Sequence, residues 1–147
     1  MKIPAFTQKW AKAERISVSF IAKPVKYGGT VFIKSIVDSG CPWTFISEND
    51  VERCRNISHR AFEFFEKVNL GGLPIELFDL GDVIFVFRDS KNQRFEVVSR
   101  CFIGKLSQKG KLTVGLPSVI GMDFLRAKRA MTGFDEDGNP CMIIAKK

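Results

Sequence analysis

Apolar and polar positions alternate through much of the chain. Ile16, Val18 and Phe20 fall on one side of residues 15–20, with Ser17 and Ser19 on the other, which is the period of a half-buried strand. Tyr27-Gly28-Gly29 supplies turn chemistry, and Val31, Phe32, Ile33, Ile36 and Val37 then read as a returning strand that runs into Asp38. Val68-Asn69-Leu70, a Gly71-Gly72 turn, residues 75–80 and 82–87, an Asp89-Ser90-Lys91-Asn92 turn and residues 94–102 extend the pattern. The segment 130–145 reads as a hairpin turned by the polar run 135–140. Helical signals are few. Ser47 can cap a short helix through Glu48, Asn49, Asp50 and Val51, because its hydroxyl accepts a first-turn amide. Ser58 opens a short turn holding Phe62, Phe64 and Phe65, and residues 121–128 suit another short helix with Asp123 as its cap. Many short strands with only two or three short helices predict a mainly β fold, a closed or nearly closed β-barrel.

Composition narrows the organisation. At 147 residues and 45% hydrophobic the chain can bury one core, so residues 14–147 are expected to form a single domain. Residues 1–13, with Phe6 and Trp10 among basic residues, form an arm that docks on the domain or on a partner, with no predictable order of its own. Runs such as residues 83–87 are strand-length, far short of the ~20 apolar residues of a membrane helix. The start, Met1-Lys2-Ile3-Pro4-Ala5-Phe6, has a positive charge but no apolar run, so no secretory signal is read there and a cytoplasmic location is expected. Phe62, Phe64, Phe65, Phe85 and Phe87 are expected in the core.

Cys41, Cys54, Cys101 and Cys141 lie too far apart for a zinc ribbon and are expected as reduced thiols in or near the interior. Cys54 and His59, five positions apart, offer two ligands where a tetrahedral site needs four, so neither metal nor cofactor is expected and His59 reads as a loop residue. The net charge of +7 favours anionic partners or simply solubility. Lys9, Lys12, Arg15, Lys146 and Lys147 thicken both ends, yet the basic residues are otherwise scattered and nothing among them would read a base, so nucleic acid is not an expected partner.

The candidate chemistry lies at Asp38-Ser39-Gly40. Aspartyl hydrolysis uses two carboxylates close enough to share one proton, because like charges about 3 Å apart cannot both ionise cheaply. A turn at a strand end can present such a group: Gly40 permits close backbone approach, and Ser39 offers a hydroxyl to tie two turns together. The triplet alone is too common in turns to name an enzyme. Its surroundings, Ile36-Val37-Asp38-Ser39-Gly40-Cys41-Pro42-Trp43-Thr44-Phe45-Ile46, resemble the first signature of retropepsin-like aspartic peptidases, and Val119-Ile120-Gly121-Met122-Asp123-Phe124-Leu125 resembles the second. Leu70-Gly71-Gly72-Leu73 sits between them, where that family has a glycine-tipped flap. The likeness spans about residues 16–134, and its two signatures are the specific part.

The resemblance implies a retropepsin-like barrel with a flap hairpin. It implies Asp38 as the catalytic carboxylate, with Ser39 and Gly40 completing its turn. Gly71 and Gly72 would then contact an extended peptide, and Thr44, Ile120 and Gly121 would support the site. Asp123 is not expected as a second catalytic acid, since the family often has Asn there. One chain carries a single Asp-Ser-Gly, so the expected unit is a two-fold homodimer with paired Asp38 residues acting as an endopeptidase. Departures from the family are Cys41 for its usual Ala, and Pro42 and Met122 where retroviral members often pair Asp with Arg; losing both ends together avoids an uncompensated buried charge. The segments 51–68 and 105–117 are longer than in compact retroviral enzymes, and the C-terminal hairpin replaces a strand that interleaves between subunits. The alternatives are a non-catalytic peptide-binding or assembly module on the same fold and, with less support, a basic nucleic-acid-binding barrel. A Cys–His mechanism from Cys41 or Cys54 has no supporting pattern.

Overall fold

The structure is a computed structural model and describes residues 1–107 and 115–145. Its central strand is β3 (Ala13–Pro24), whose buried residues Val18, Phe20 and Ala22 alternate with the less buried Ser19 and Ile21, while Ser17, on the face the sequence pattern makes polar, is also buried. One edge of β3 pairs antiparallel with β4 (Val31–Val37). The other is divided: residues 13–17 pair with β2 (Phe6–Trp10), and residues 21–24 pair with β7 (Leu73–Arg88). From β4 the sheet continues through β9 (Ser118–Ile120), β5 (Phe45–Ser47) and β8 (Arg94–Leu106) to β7 and β6 (Phe64–Leu70). The strand order therefore returns through β7 to β3. A second antiparallel sheet has the order β1 (Lys2–Pro4), β11 (Pro140–Ile144), β10 (Ala130–Phe134).

The chain is mainly β, with three short helices among the described residues: α1 (Glu48–Val51), α2 (Arg55–Ser58) and α3 (Met122–Ala127). Ser47 caps α1 as its sequence position predicts, its Oγ accepting the Asp50 amide at 3.3 Å. No helix among the described residues is long and apolar enough to cross a membrane.

Two apolar clusters fill the interior. The first stacks Phe20 on Phe85 with ring centroids 4.8 Å apart, and Phe124 of α3 packs on Phe85 at 5.2 Å. The second gathers Trp10, Ile36, Cys41, Phe45, Leu70, Phe102 and Val119 around the strands that lead into and out of Asp38.

Several expectations change in detail. Residues 1–13 are ordered on their own chain, because β1 and β2 each find a partner strand and Trp10 is buried. Residues 75–80 and 82–87 belong to one strand: Gly81 adopts a φ of +86°, Asp79 Oδ1 accepts its amide at 2.9 Å, and the resulting irregularity bends β7 without ending it. Ser58 closes α2 rather than opening a turn, and Phe64 and Phe65 begin β6. Alternation back from the buried Val68 and Leu70 would turn Phe64 inward, but the pairing with β7 slips at Phe65, so that Phe65 is half-buried and Phe64, on an edge strand, is exposed rather than in the core. Phe62 is half-buried, and Phe85 and Phe87 are fully buried as expected. Lys146, Lys147 and residues 108–114 of the long 105–117 segment lie outside the described residues.

Phe124→Ala should lower unfolding stability by about 3–5 kcal/mol, as truncation of a buried aromatic does. Phe64→Ala should cost less than about 1 kcal/mol, and urea denaturation of the two variants checks the contrast.

Candidate active site

β4 delivers Asp38 to the head of a turn that returns through Cys41 to β5. β9 inserts between these two strands, parallel to β4 through Val37↔Ile120 and antiparallel to β5 through Phe45↔Val119. The turn is held from within and from behind. Within it, Asp38 Oδ1 accepts the Gly40 amide at 2.8 Å, and the Asp38 carbonyl accepts the Cys41 amide at 3.1 Å. Behind it, the Asp38 amide donates to the Ile120 carbonyl at 3.0 Å. One carboxylate oxygen of Asp38 is thus committed to orientation, while Oδ2 has no hydrogen bond among the described residues. Ser39 and Gly40 are exposed and Asp38 is half-buried, so the turn presents its polar edge outward.

Thr44 joins the two sequence signatures. Fully buried, it accepts the Gly121 amide at 3.0 Å and donates its own proton to Asp123 Oδ1 at 2.7 Å. The Met122 and Asp123 amides, unpaired by their position in the first turn of α3, donate to the Cys41 and Pro42 carbonyls at 2.8 and 3.2 Å. Gly121 is required for space: a Cβ there would lie 2.5 Å from the Trp43 carbonyl oxygen and 2.7 Å from that of Cys41. Gly121, not Asp123, occupies the N-cap of α3. The Asp123 carboxylate instead holds the Thr44 hydroxyl and accepts the Phe124 amide at 2.8 Å.

Asp38, Thr44, Ile120 and Gly121 are therefore brought into one bonded unit, whereas Gly71 and Gly72 are not hydrogen-bonded to it. They form the two-residue tip between β6 and β7, with φ of +58° and +86°, the left-handed pair that a tight hairpin needs. The atoms nearest a side chain at Gly71 would belong to the Trp10 ring, at 3.4 Å. The hairpin meets the Asp38 loop farther down, through two residues that the sequence pattern did not single out. Trp43 Nε1 donates to Glu66 Oε1 at 2.6 Å, and the Trp43 ring packs edge-on against Phe65 at 5.1 Å. A sequence offers no signal for a contact between an indole in one loop and a carboxylate on a distant strand.

All four cysteines are free and buried. Burial pushes the Cys41 thiol from 9.0 up to about 11, opposed by a hydrogen bond with the Trp43 backbone and aided by the nearby Asp38 and Asp123 charges. Such a thiol is protonated at neutral pH and is no nucleophile. His59 is exposed at the C-terminus of α2. No family model and no curated protein matches the sequence.

Thr44→Val strands the Gly121 amide, removes one of the two hydrogen bonds to Asp123 Oδ1 and should cost about 1–3 kcal/mol, while Thr44→Ser should recover most of it in urea titrations. The raised thiol gives a pH signature. The folded state keeps the Cys41 proton to higher pH than the unfolded chain, so its stabilising effect is complete below pH 9.0 and is lost as the pH rises towards about 11. Denaturant midpoints should fall across that interval, and Cys41→Ala should flatten the decline.

Proposed function

We propose that this chain is one half of a retropepsin-like aspartic endopeptidase. In this reading the returning sheet is a closed retropepsin-like barrel and the β6–β7 hairpin is its flap. The functional unit is a homodimer whose two Asp38 carboxylates share a proton and activate one water. The observation that carries the proposal is the bonded unit of Asp38, Thr44 and Gly121. An Asp-Ser-Gly serving only as a surface turn would have no need of a second segment threaded between its two strands. Here Gly121 lies 77 positions from Thr44 in sequence and is hydrogen-bonded to it.

In the dimer one Asp38 carboxylate accepts a proton from water, and the other, protonated, donates to the scissile carbonyl as its oxygen gains charge. An extended peptide between the cleft and the flaps would be held by main-chain hydrogen bonds, with alternate side chains in pockets. Pro42 and Met122 depart from the ion pair that retroviral members often have, and losing both ends together leaves neither charge unpaired. The protonated Cys41 thiol leaves Asp38 as the reactive group of the turn.

Asp38→Asn should abolish cleavage of unstructured peptides by the pure protein while leaving its sedimentation and circular dichroism unchanged. The wild-type rate should be greatest on the acidic side of neutrality, where the pair retains one proton. Equal rates for Asp38→Asn and wild type would rule the mechanism out. Peptide binding without cleavage by the wild type would mark the chain as a peptide-binding module.

A further inference from the structure

The outer strands of the two sheets are β1, β2, β6 and β10, and β4 and β8 also have an unpaired side over residues 31–34 and 94–101, where they carry Lys34 and Arg94, Glu96 and Arg100. Natural sheets discourage edge-to-edge association with charge or proline. β1 carries Lys2 and Pro4, β2 carries Lys9, and β6 carries Glu66 and Lys67. The β10 edge reads Ala130-Met131-Thr132-Gly133-Phe134 and contains neither device.

Its backbone is available. The Asp135 amide donates to the Asn139 carbonyl at 2.9 Å and the Ala145 amide to the Arg129 carbonyl at 3.4 Å, which sets the alternation of the β10–β11 ladder. Residues 129, 131, 133 and 135 face β11. The amides and carbonyls of Ala130, Thr132 and Phe134 consequently face outward along the open edge.

The side chains of β10 also extend beyond the core. Thr132 is paired with Met142 and so shares the face that buries it, yet Thr132 is exposed. Phe134, on the same face, is 66% exposed, and Met131 on the opposite face is equally so. These are the two most exposed large apolar side chains among the described residues.

The charges flanking β10 identify what fits against it. Arg126, Lys128 and Arg129 precede the strand, and Asp135, whose carboxylate already pairs with Lys2 at 2.9 Å, is followed by Glu136 and Asp137. Two copies of β10 placed antiparallel about a two-fold axis at Thr132 bring each basic end against the partner's acidic end, and pair Ala130 with Phe134 of the other copy. A parallel arrangement would set like charges together.

We infer that the β10 edge is the surface through which a second copy of this chain binds, forming one continuous sheet across the two-fold axis. The choice of a second copy rests in part on the peptidase reading, which needs another Asp38; the unguarded edge and the polarity of its ends stand without it. α3 links the two regions, running only six residues from the Gly121 cap towards β10.

The test is charge-swap complementation by sedimentation velocity on the full chain at low salt, with peptide cleavage followed in parallel. Arg126→Glu/Arg129→Glu and Glu136→Lys/Asp137→Lys should each weaken self-association on the order of tenfold or more, since each end then meets a partner end of like net charge. Mixed one to one, the two variants should associate with each other, a recovery that misfolded proteins would not give. Thr132→Pro, which removes an outward amide without touching the β11 ladder, should reduce association of the otherwise unaltered chain. If the unaltered chain is dimeric and both charge variants remain so, the surface is wrong while the peptidase reading stands. Complementation without cleavage by the unaltered dimer upholds the surface and overturns the peptidase. A chain that stays monomeric at every concentration overturns both.

Discussion

The buried hydroxyl of Thr44 is where two distant stretches of chain become one site. It accepts from the Gly121 amide and donates to Asp123, and so faces a backbone group on one side and a carboxylate on the other. The Gly121 amide has no other partner among the described residues, and a buried polar group left unpaired costs more than the bond itself contributes. The arrangement therefore fixes α3 against the Asp38 loop, while the apolar packing of Phe124 fixes it against the core. The orientation of Asp38 depends on both, because the carbonyl that takes its amide belongs to Ile120, the residue before Gly121.

Much of this was legible from the chain. Short-range chemistry reads well: Ser47 as a cap, Gly71-Gly72 as a hairpin tip, residues 121–128 as a short helix and the alternation of β3 all follow from neighbouring residues. The two segments around Asp38 and Gly121 could be singled out because each combines an apolar lead-in with a residue of restricted use. Their contact also explains why glycine stands at 121, where the limit is the approach of two carbonyls rather than an unusual φ.

What was not legible depends on long-range pairing. Asp123 stands where a helix cap would, and only the position of Thr44, 79 residues away, shows that its carboxylate is employed elsewhere. Phe64 has the composition of a core residue, but its face was decided by the register of β6 on β7. The break at Gly81 resembles a turn in sequence, and only the continuous β7–β8 ladder on both sides makes it a bend. Residues 1–13 were unreadable for the same reason, since an arm becomes a strand when an edge is vacant, and β3 has room beside β7 for β2.

The hairpin of β6 and β7 touches both of the chain's tryptophans, Trp10 at its tip through Gly71 and Trp43 lower down through Glu66. Lifting the hairpin would expose one indole to water and remove a carboxylate from the other. The molecule thus carries its own optical gauge of hairpin position, readable from native emission without any added label.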